Sequence, residues 1–174
     1  MAETSNVTPL PGSGDQRFRE PPHNFEAEQA LLGAILVNNF AYNRVSDFLK
    51  PEHFADPLHG RIFEAAARLI ERNQVATPVT LKPFFEREES LQQAGGAAYL
   101  ARLAGAAISI IDAADYGRQI HDLFLRRQLI DVGETMVNGA FAPDVEEPAT
   151  SQIEQAEKKL YDLATAGQIE GGFK

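Results

Sequence analysis

The sequence predicts an all-α fold, a compact bundle of short helices followed by a long antiparallel helical hairpin. Three observations point there. Apolar residues recur at helical spacings of three and four along most of the chain. Alternating apolar and polar runs of strand type are essentially absent, and Val79 to Leu81 is too short to count as one. The last third carries a proline-free helical pattern much longer than any before it. With 174 residues, 44% of them hydrophobic and 24% charged, the chain is long enough for one domain with a true core plus flanking extensions.

Residues 1–20 mix Thr, Ser, Asn, Pro and Gly around Pro11-Gly12-Ser13-Gly14 with almost no large apolar side chains. Burial cannot offset the entropy of ordering them, and they are expected to form a disordered tail. A globular helical bundle is expected over 21–111. Asn24 is placed to cap its first helix, Glu26 and Glu28 set negative charge at the positive end, and Leu31, Leu32, Ile35 and Leu36 form an apolar stripe. A second helical segment, Tyr42 to Leu49, turns Val45, Phe48 and Leu49 inward and stops at Pro51. Asp56-Pro57 then supplies a cap followed by proline at the first helical position. Leu58, Ile62, Phe63, Ala66, Leu69 and Ile70 follow at helical spacing, with Asn73 as the stop. Thr80 is read as the cap of a short helix carrying Leu81, Phe84 and Phe85. Gly95-Gly96 breaks the chain and re-aims it into Tyr99, Leu100 and Leu103, making five small helices.

The hairpin is expected over 112–167. Its first helix starts at Asp112 as cap and runs through Tyr116, Ile120, Leu123, Phe124, Leu125, Leu129, Val132, Met136 and Val137 towards Phe141, ending before Pro143. Such a helix spans on the order of 40 Å, longer than a small globule is wide, so part of it protrudes. A turn-prone stretch, Ala142 to Pro148, leads into a final helix with Ile153, Ala156, Leu160 and Leu163 on one side, before Gly167. Leu125, Leu129, Val132 and Met136 lie roughly 90 to 120 degrees round the helix from Tyr116, Ile120 and Leu123. One helix therefore shows two apolar faces, of which the bundle can cover one. The seam between the long helices is read mainly as hairpin core. Its leftover edge forms the oligomer or partner interface, drawn from Leu125, Arg126, Arg127, Leu129, Val132, Met136, Ile153, Leu160 and Leu163. Arg126 and Arg127 are read as a solvated pair or as partners of Glu154 or Glu157 across the hairpin.

Composition narrows the function classes. A net charge of -9 argues against a non-specific grip on phosphate backbones, so direct nucleic-acid binding is not expected. The absence of cysteine excludes disulfides, thiolate metal sites and a cysteine nucleophile. No apolar run approaches the roughly 20 residues of a membrane span and no signal-peptide order opens the chain, so a cytoplasmic, membrane-free protein is expected. His53, His59 and His121 lack His-Glu-x-x-His or any repeated ligand spacing and are read as hydrogen-bonded or solvated histidines, with no metal. Asp56 is read as a helix cap, not a catalytic acid, and Gly95-Gly96 as a turn, not a phosphate cradle. No catalytic residue and no cofactor are expected.

The block Pro21-Pro22-His23-Asn24-Phe25-Glu26-Ala27-Glu28-Gln29-Ala30-Leu31-Leu32-Gly33-Ala34 resembles the opening of DnaB-type bacterial replicative DNA helicases. Further matches follow in the family's order: Phe54 with His59 and Ile62-Phe63, Thr80-Leu81, Gly95-Gly96 with Tyr99-Leu100, Tyr116 with Ile120, Arg127, and Ala156-Glu157. Departures are Thr77 and Asp112, where the family usually has Asp and Asn, and His121 and Leu123, where basic residues are common. The resemblance implies a non-catalytic amino-terminal collar domain. In this family such domains pair through their hairpins, close into a ring as a trimer of dimers on the motor domains, dock primase, and help the hexamer hold together around single-stranded DNA. The alternative is an autonomous helical adaptor such as a helicase-binding domain of primase. No Gly-x-x-x-x-Gly-Lys-Ser/Thr run occurs, so ATP and Mg are expected only in a motor domain of the full-length parent, an ATP-dependent DNA helicase. Residues 168–174 are expected to begin the linker to that motor.

Overall fold

The computed structural model describes residues 19–107 and 109–168. Eight α-helices occur among them: α1 (Phe25–Val37), α2 (Phe40–Asn43), α3 (Pro57–Glu71), α4 (Pro78–Leu81), α5 (Glu89–Gln93), α6 (Ala97–Gly105), α7 (Ile110–Phe141) and α8 (Ala149–Gln168). Two 3-10 turns, Pro51–His53 and Lys82–Phe85, join them, and no strand occurs among the described residues. The fold is all-α. Helices α1 to α6 form the head, against which the first half of α7 packs. Its second half doubles back on α8 as an antiparallel hairpin. The expected tail falls outside the described residues up to 18, and the expected linker does so from 169.

Helix α1 is the hub of the head. Ala27, Glu28 and every residue from Leu31 to Leu36 are buried, so the helix is covered on more than the single stripe its sequence suggested. It packs against α3, α6 and α7 at once. Around it Ile62 and Phe63 of α3, Leu81, Phe85 and Leu91, Leu100 and Leu103 of α6, and Ala113 and Ile120 of α7 close one core. Each fully buried Leu, Ile or Phe contributes about 1.5–3 kcal/mol relative to exposure.

The local signals act as expected at several ends. The Asn24 side chain accepts from the backbone N–H of Ala27, and that of Asp56 accepts from Leu58 ahead of Pro57. Asn73, at φ 58, takes the left-handed conformation that closes α3. Gly95 and Gly96, at φ 113 and 68, make the bend between α5 and α6.

Several boundaries differ from expectation. Only Phe40–Asn43 of the second segment is helical, and turns carry the chain on to Leu49, while Val45 and Leu49 are buried as expected. Thr77, not Thr80, caps α4. The two threonines form a reciprocal box in which each side chain accepts from the other's backbone N–H. Helix α5 is a single short turn, too brief for periodicity to reveal. The cap of α7 is Ser109, which puts Asp112 inside the first turn, where its carboxylate accepts from the Ser109 hydroxyl at 3.1 Å.

Three glycines are required by close approach, one of them Gly60, where a Cβ would stand 2.6 Å from the Pro51 carbonyl oxygen. A Cβ on Gly33 would stand 1.9 Å from the carbonyl oxygen of Leu103, so α1 and α6 cross almost backbone to backbone. A Cβ on Gly117 would stand 2.6 Å from Val45 Cγ1, the contact that seats α7 on the head. Since a backbone atom cannot swing aside as a side chain can, Gly33→Ala is expected to lower unfolding stability by about 3 kcal/mol. Urea denaturation reads this directly, and a loss below about 0.5 kcal/mol would contradict the crossing.

Candidate assembly and docking surface

The 32 residues of α7 run about 48 Å at 1.5 Å per residue. Ala113, Gly117, Ile120 and His121 are buried against the head, and Tyr116 and Phe124 line the same side half-buried. Beyond Gln128 only Val132 of α7 is buried, although Glu52, Phe54 and Ala55 of the head still border a groove that reaches Ile130, Asp131 and Glu134. There α8 packs on one side, and residues Arg19 to Pro21 bound a groove of about 510 Å³ with Ile130, Gly133 and Val137.

The hairpin seam is not the closed core expected from its spacing. Val132 is buried facing α8, and Ala156 of α8 is buried opposite it, each 8% exposed. Leu125 and Leu163 are half-buried. Leu129, Met136, Ile153 and Leu160 remain 42 to 59% exposed. The physical reason is geometric: two helices in contact cover only the narrow line between them. Apolar residues one position round either helix stay in water unless a third surface arrives. A cleft of about 100 Å³ lined by Val132, Met136, Gln152 and Ala156 opens along this line. The Gln152 amide donates to the Gly139 carbonyl at 3.1 Å and ties the base of α8 to α7. Ile130, Val137 and, at the tip, Phe141 and Val145 are also exposed. Singly such residues are ordinary, but here they concentrate on one protruding element.

The two arginines part company, and neither makes the expected bridge across the hairpin. Arg126 is exposed and pairs with Asp122 at 2.7 Å on its own helix, where a carboxylate four residues back lies closer than Glu154 or Glu157. Arg127 points into the head instead. Its guanidinium donates to the carbonyls of Pro22 at 2.8 Å and His53 at 2.9 Å, and sits 5.9 Å from the centre of the Phe124 ring. One cation thus joins the segment before α1, the turn before α3, and α7. The His53 ring packs between His121, at 4.7 Å, and Phe124, at 4.6 Å, and its Nδ1 accepts from the Lys50 backbone N–H. Burial, followed by the neighbouring His121, pushes the His53 pKa down to about 4, so this ring is neutral at neutral pH and adds no charge beside Arg127. Arg127 is therefore the fixture of the joint between head and hairpin, and not part of its free face.

Sequence reasoning missed a second polar fixture. Glu28, placed by spacing in the first turn of α1 as a dipole partner, is buried. Its carboxylate accepts from the backbone N–H groups of Ala55 at 3.1 Å and Asp56 at 3.2 Å, and meets His59 Nδ1 at 3.2 Å. The other nitrogen of His59 bonds the Tyr99 hydroxyl, to which Gln29 also donates. These groups lock α1, α3 and α6 together, and no neighbouring bound group is needed to account for the buried His59. Among the described residues no three His, Cys, Asp or Glu side chains gather as metal ligands, and no single helix is long and apolar enough to cross a membrane.

A head of short helices bearing one long helix folded back as a partly bare hairpin is the architecture of a helicase amino-terminal domain. The family of the DnaB-like helicase N terminal domain matches residues 20–122, more than half of the chain, and the chain belongs to it. It is similar to the replicative DNA helicase DnaB of Rickettsia conorii, 43% identical over 173 residues, covering 99% of this chain and 34% of that protein. It is similar also to the replicative DNA helicase DnaB of Treponema pallidum, 33% identical over 149 residues, covering 86% of this chain and 34% of that protein. The chain thus spans about a third of the length of these relatives. Among solved structures, the N-terminal domain of DnaB helicase from Mycobacterium tuberculosis superposes with a TM-score of 0.75 at 28% identity, over 82% of this chain and 99% of that one. A DnaB-like replicative helicase, described with its interactions with primase, superposes with a TM-score of 0.60 at 23% identity, over 86% of this chain and 36% of that one, a likeness of fold.

The contrast between the two arginines is measurable. Arg127→Ala removes two charge-assisted bonds to backbone carbonyls and is expected to lower stability by about 2 kcal/mol. Arg126→Ala should leave the urea midpoint unchanged, because an exposed pair on one helix contributes little. Equal effects of the two substitutions would contradict the joint.

Proposed function

We propose that this chain is the collar of a replicative DNA helicase, a non-catalytic domain through which helicase copies pair and primase docks at the replication fork in the cytoplasm. The observation that carries the reading is the uncovered apolar surface of the hairpin. Leu129 and Met136 of α7 and Ile153 and Leu160 of α8 stand in water in a single copy. A second hairpin laid antiparallel on the first would bury the same residues of both copies, since a twofold contact sets one patch against itself. In the full-length parent, such pairs would form a ring of three dimers above motor domains that bind ATP and Mg.

Family membership favours this reading over an autonomous adaptor of the primase type. The solved DnaB-like helicase described with its interactions with primase, which shares this fold, supports primase as the second partner. The net charge of -9 supports protein surfaces, more than DNA, as the targets.

Mass in solution tests the proposal. Sedimentation equilibrium is expected to show dimers or larger species, and a further rise in mass on adding the carboxy-terminal domain of primase. With Leu129→Asp and Met136→Asp together, the chain is expected to stay helical by circular dichroism and to become monomeric. A parent chain that is strictly monomeric at high concentration would overturn the pairing. An unchanged mass with the primase domain would overturn the docking.

A further inference from the structure

The head carries a second exposed apolar patch, remote from the hairpin. Val37 at the end of α1, Phe40 at the start of α2, and Val75 and Val79 around the start of α4 are 63 to 80% exposed. Three hydrogen bonds bring these segments to one end of the head. The Asn39 side chain donates to the Ala76 carbonyl at 2.7 Å and accepts from the Ala76 backbone N–H at 2.9 Å, and the Thr80 hydroxyl donates to the Val75 carbonyl at 2.8 Å. Phe40 follows Asn39 and Val75 precedes Ala76, the two residues that the first two of these bonds join. The opposite end of α1, beside Pro22, is where Arg127 fastens the hairpin. The 13 residues of α1 set the patch about 20 Å from that joint.

Its charge setting differs from that of the whole chain. Arg44 lies one helical turn after Phe40, Arg72 three residues before Val75, and Lys82 three residues after Val79. All three are exposed and form no ion pair among the described residues. The Glu71 carboxylate, next to Arg72 in the chain, accepts from the Tyr42 hydroxyl at 2.7 Å. An acidic protein thus carries, within a few residues of these apolar side chains in the chain, three cations with no ion pair among the described residues.

We propose that this end of the head is a docking site for an amphipathic helix whose apolar face is bordered by carboxylates, supplied by another protein. Two features select that occupant. Carboxylates on the incoming helix would complement Arg44, Arg72 and Lys82, whereas a twofold contact with the same patch of a second copy would set like cations against each other. Four exposed apolar side chains suit the anchors of a single helix laid across them, not an extended obligate interface.

Fluorescence anisotropy with a labelled helical peptide of roughly 18 residues, about five turns, with leucine on one face and glutamate on the other, tests this. The peptide is expected to bind the chain, and its leucine–lysine counterpart to compete poorly. Phe40→Ser with Val79→Ser, and separately Arg44→Glu with Arg72→Glu, are each expected to weaken binding roughly tenfold. All four side chains are exposed, so circular dichroism should be unchanged. Leu129→Asp with Met136→Asp should leave peptide affinity where it was. The proposal is overturned if the hairpin variants abolish binding while the head variants do not, or if the lysine peptide competes as well as its glutamate analogue. It is overturned also if Phe40→Ser with Val79→Ser lowers the mass of the chain without peptide, since the patch would then join copies of the chain.

Discussion

A continuous helix of 32 residues cannot be hidden by a head whose central helix has 13. The mismatch in length, about 48 Å against about 20 Å, governs the rest of the structure. It divides α7 into a half that completes the head's core through Ala113, Gly117 and Ile120, and a half that leaves it. The departing half carries Leu129, Val132 and Met136, and α8 is wide enough to cover only Val132. Folding of one copy thus ends with an apolar surface held out on a rigid arm, away from the core that would otherwise absorb it.

Such an arm is useful only if its direction is fixed; the half-buried Arg127 fixes it, and the buried Glu28 fixes the head on which it stands. Arg127 binds carbonyls from two separate segments of the head, so α7 cannot pivot without breaking charge-assisted bonds. Glu28 holds the turn before α3 through two backbone N–H groups and holds His59, which in turn holds Tyr99 of α6. Both side chains act on backbone groups outside their own helix. Buried polar groups that are fully hydrogen-bonded specify one arrangement of elements, where apolar packing alone tolerates several. Gly33 adds the same kind of specification by letting α6 approach to a distance no other residue allows.

Much of this was legible in the sequence because it rests on local rules. The caps at Asn24 and Asp56, the stop at Asn73, the bend at Gly95-Gly96 and the two faces of α7 each follow from residues a few positions apart. The Pro-Pro and Glu-Ala-Glu block carried the family. What escaped depends on residues distant in the chain. Glu28 has the spacing of a first-turn acid, and its burial follows only once the turn at Ala55 is folded over it, 27 positions later. Arg127 looks like half of a solvated pair until Pro22, 105 positions earlier, is brought beneath it. The seam was misread for the opposite reason. Periodicity shows which residues share a side of a helix, but how much of that side a neighbour covers depends on the width of the contact.

The account stands on the apolar side of the hairpin being covered by another hairpin in solution. Methyl NMR on an equimolar mixture of chains, one copy labelled at Met and Leu methyls only and the other fully deuterated except at Ile methyls, reads this most directly. Intermolecular NOEs from the Met136 and Leu129 methyls to Ile153 of another copy are the expected result. Full relaxation of those methyls by a soluble paramagnetic probe at millimolar chain concentration, with no intermolecular NOE, would contradict it.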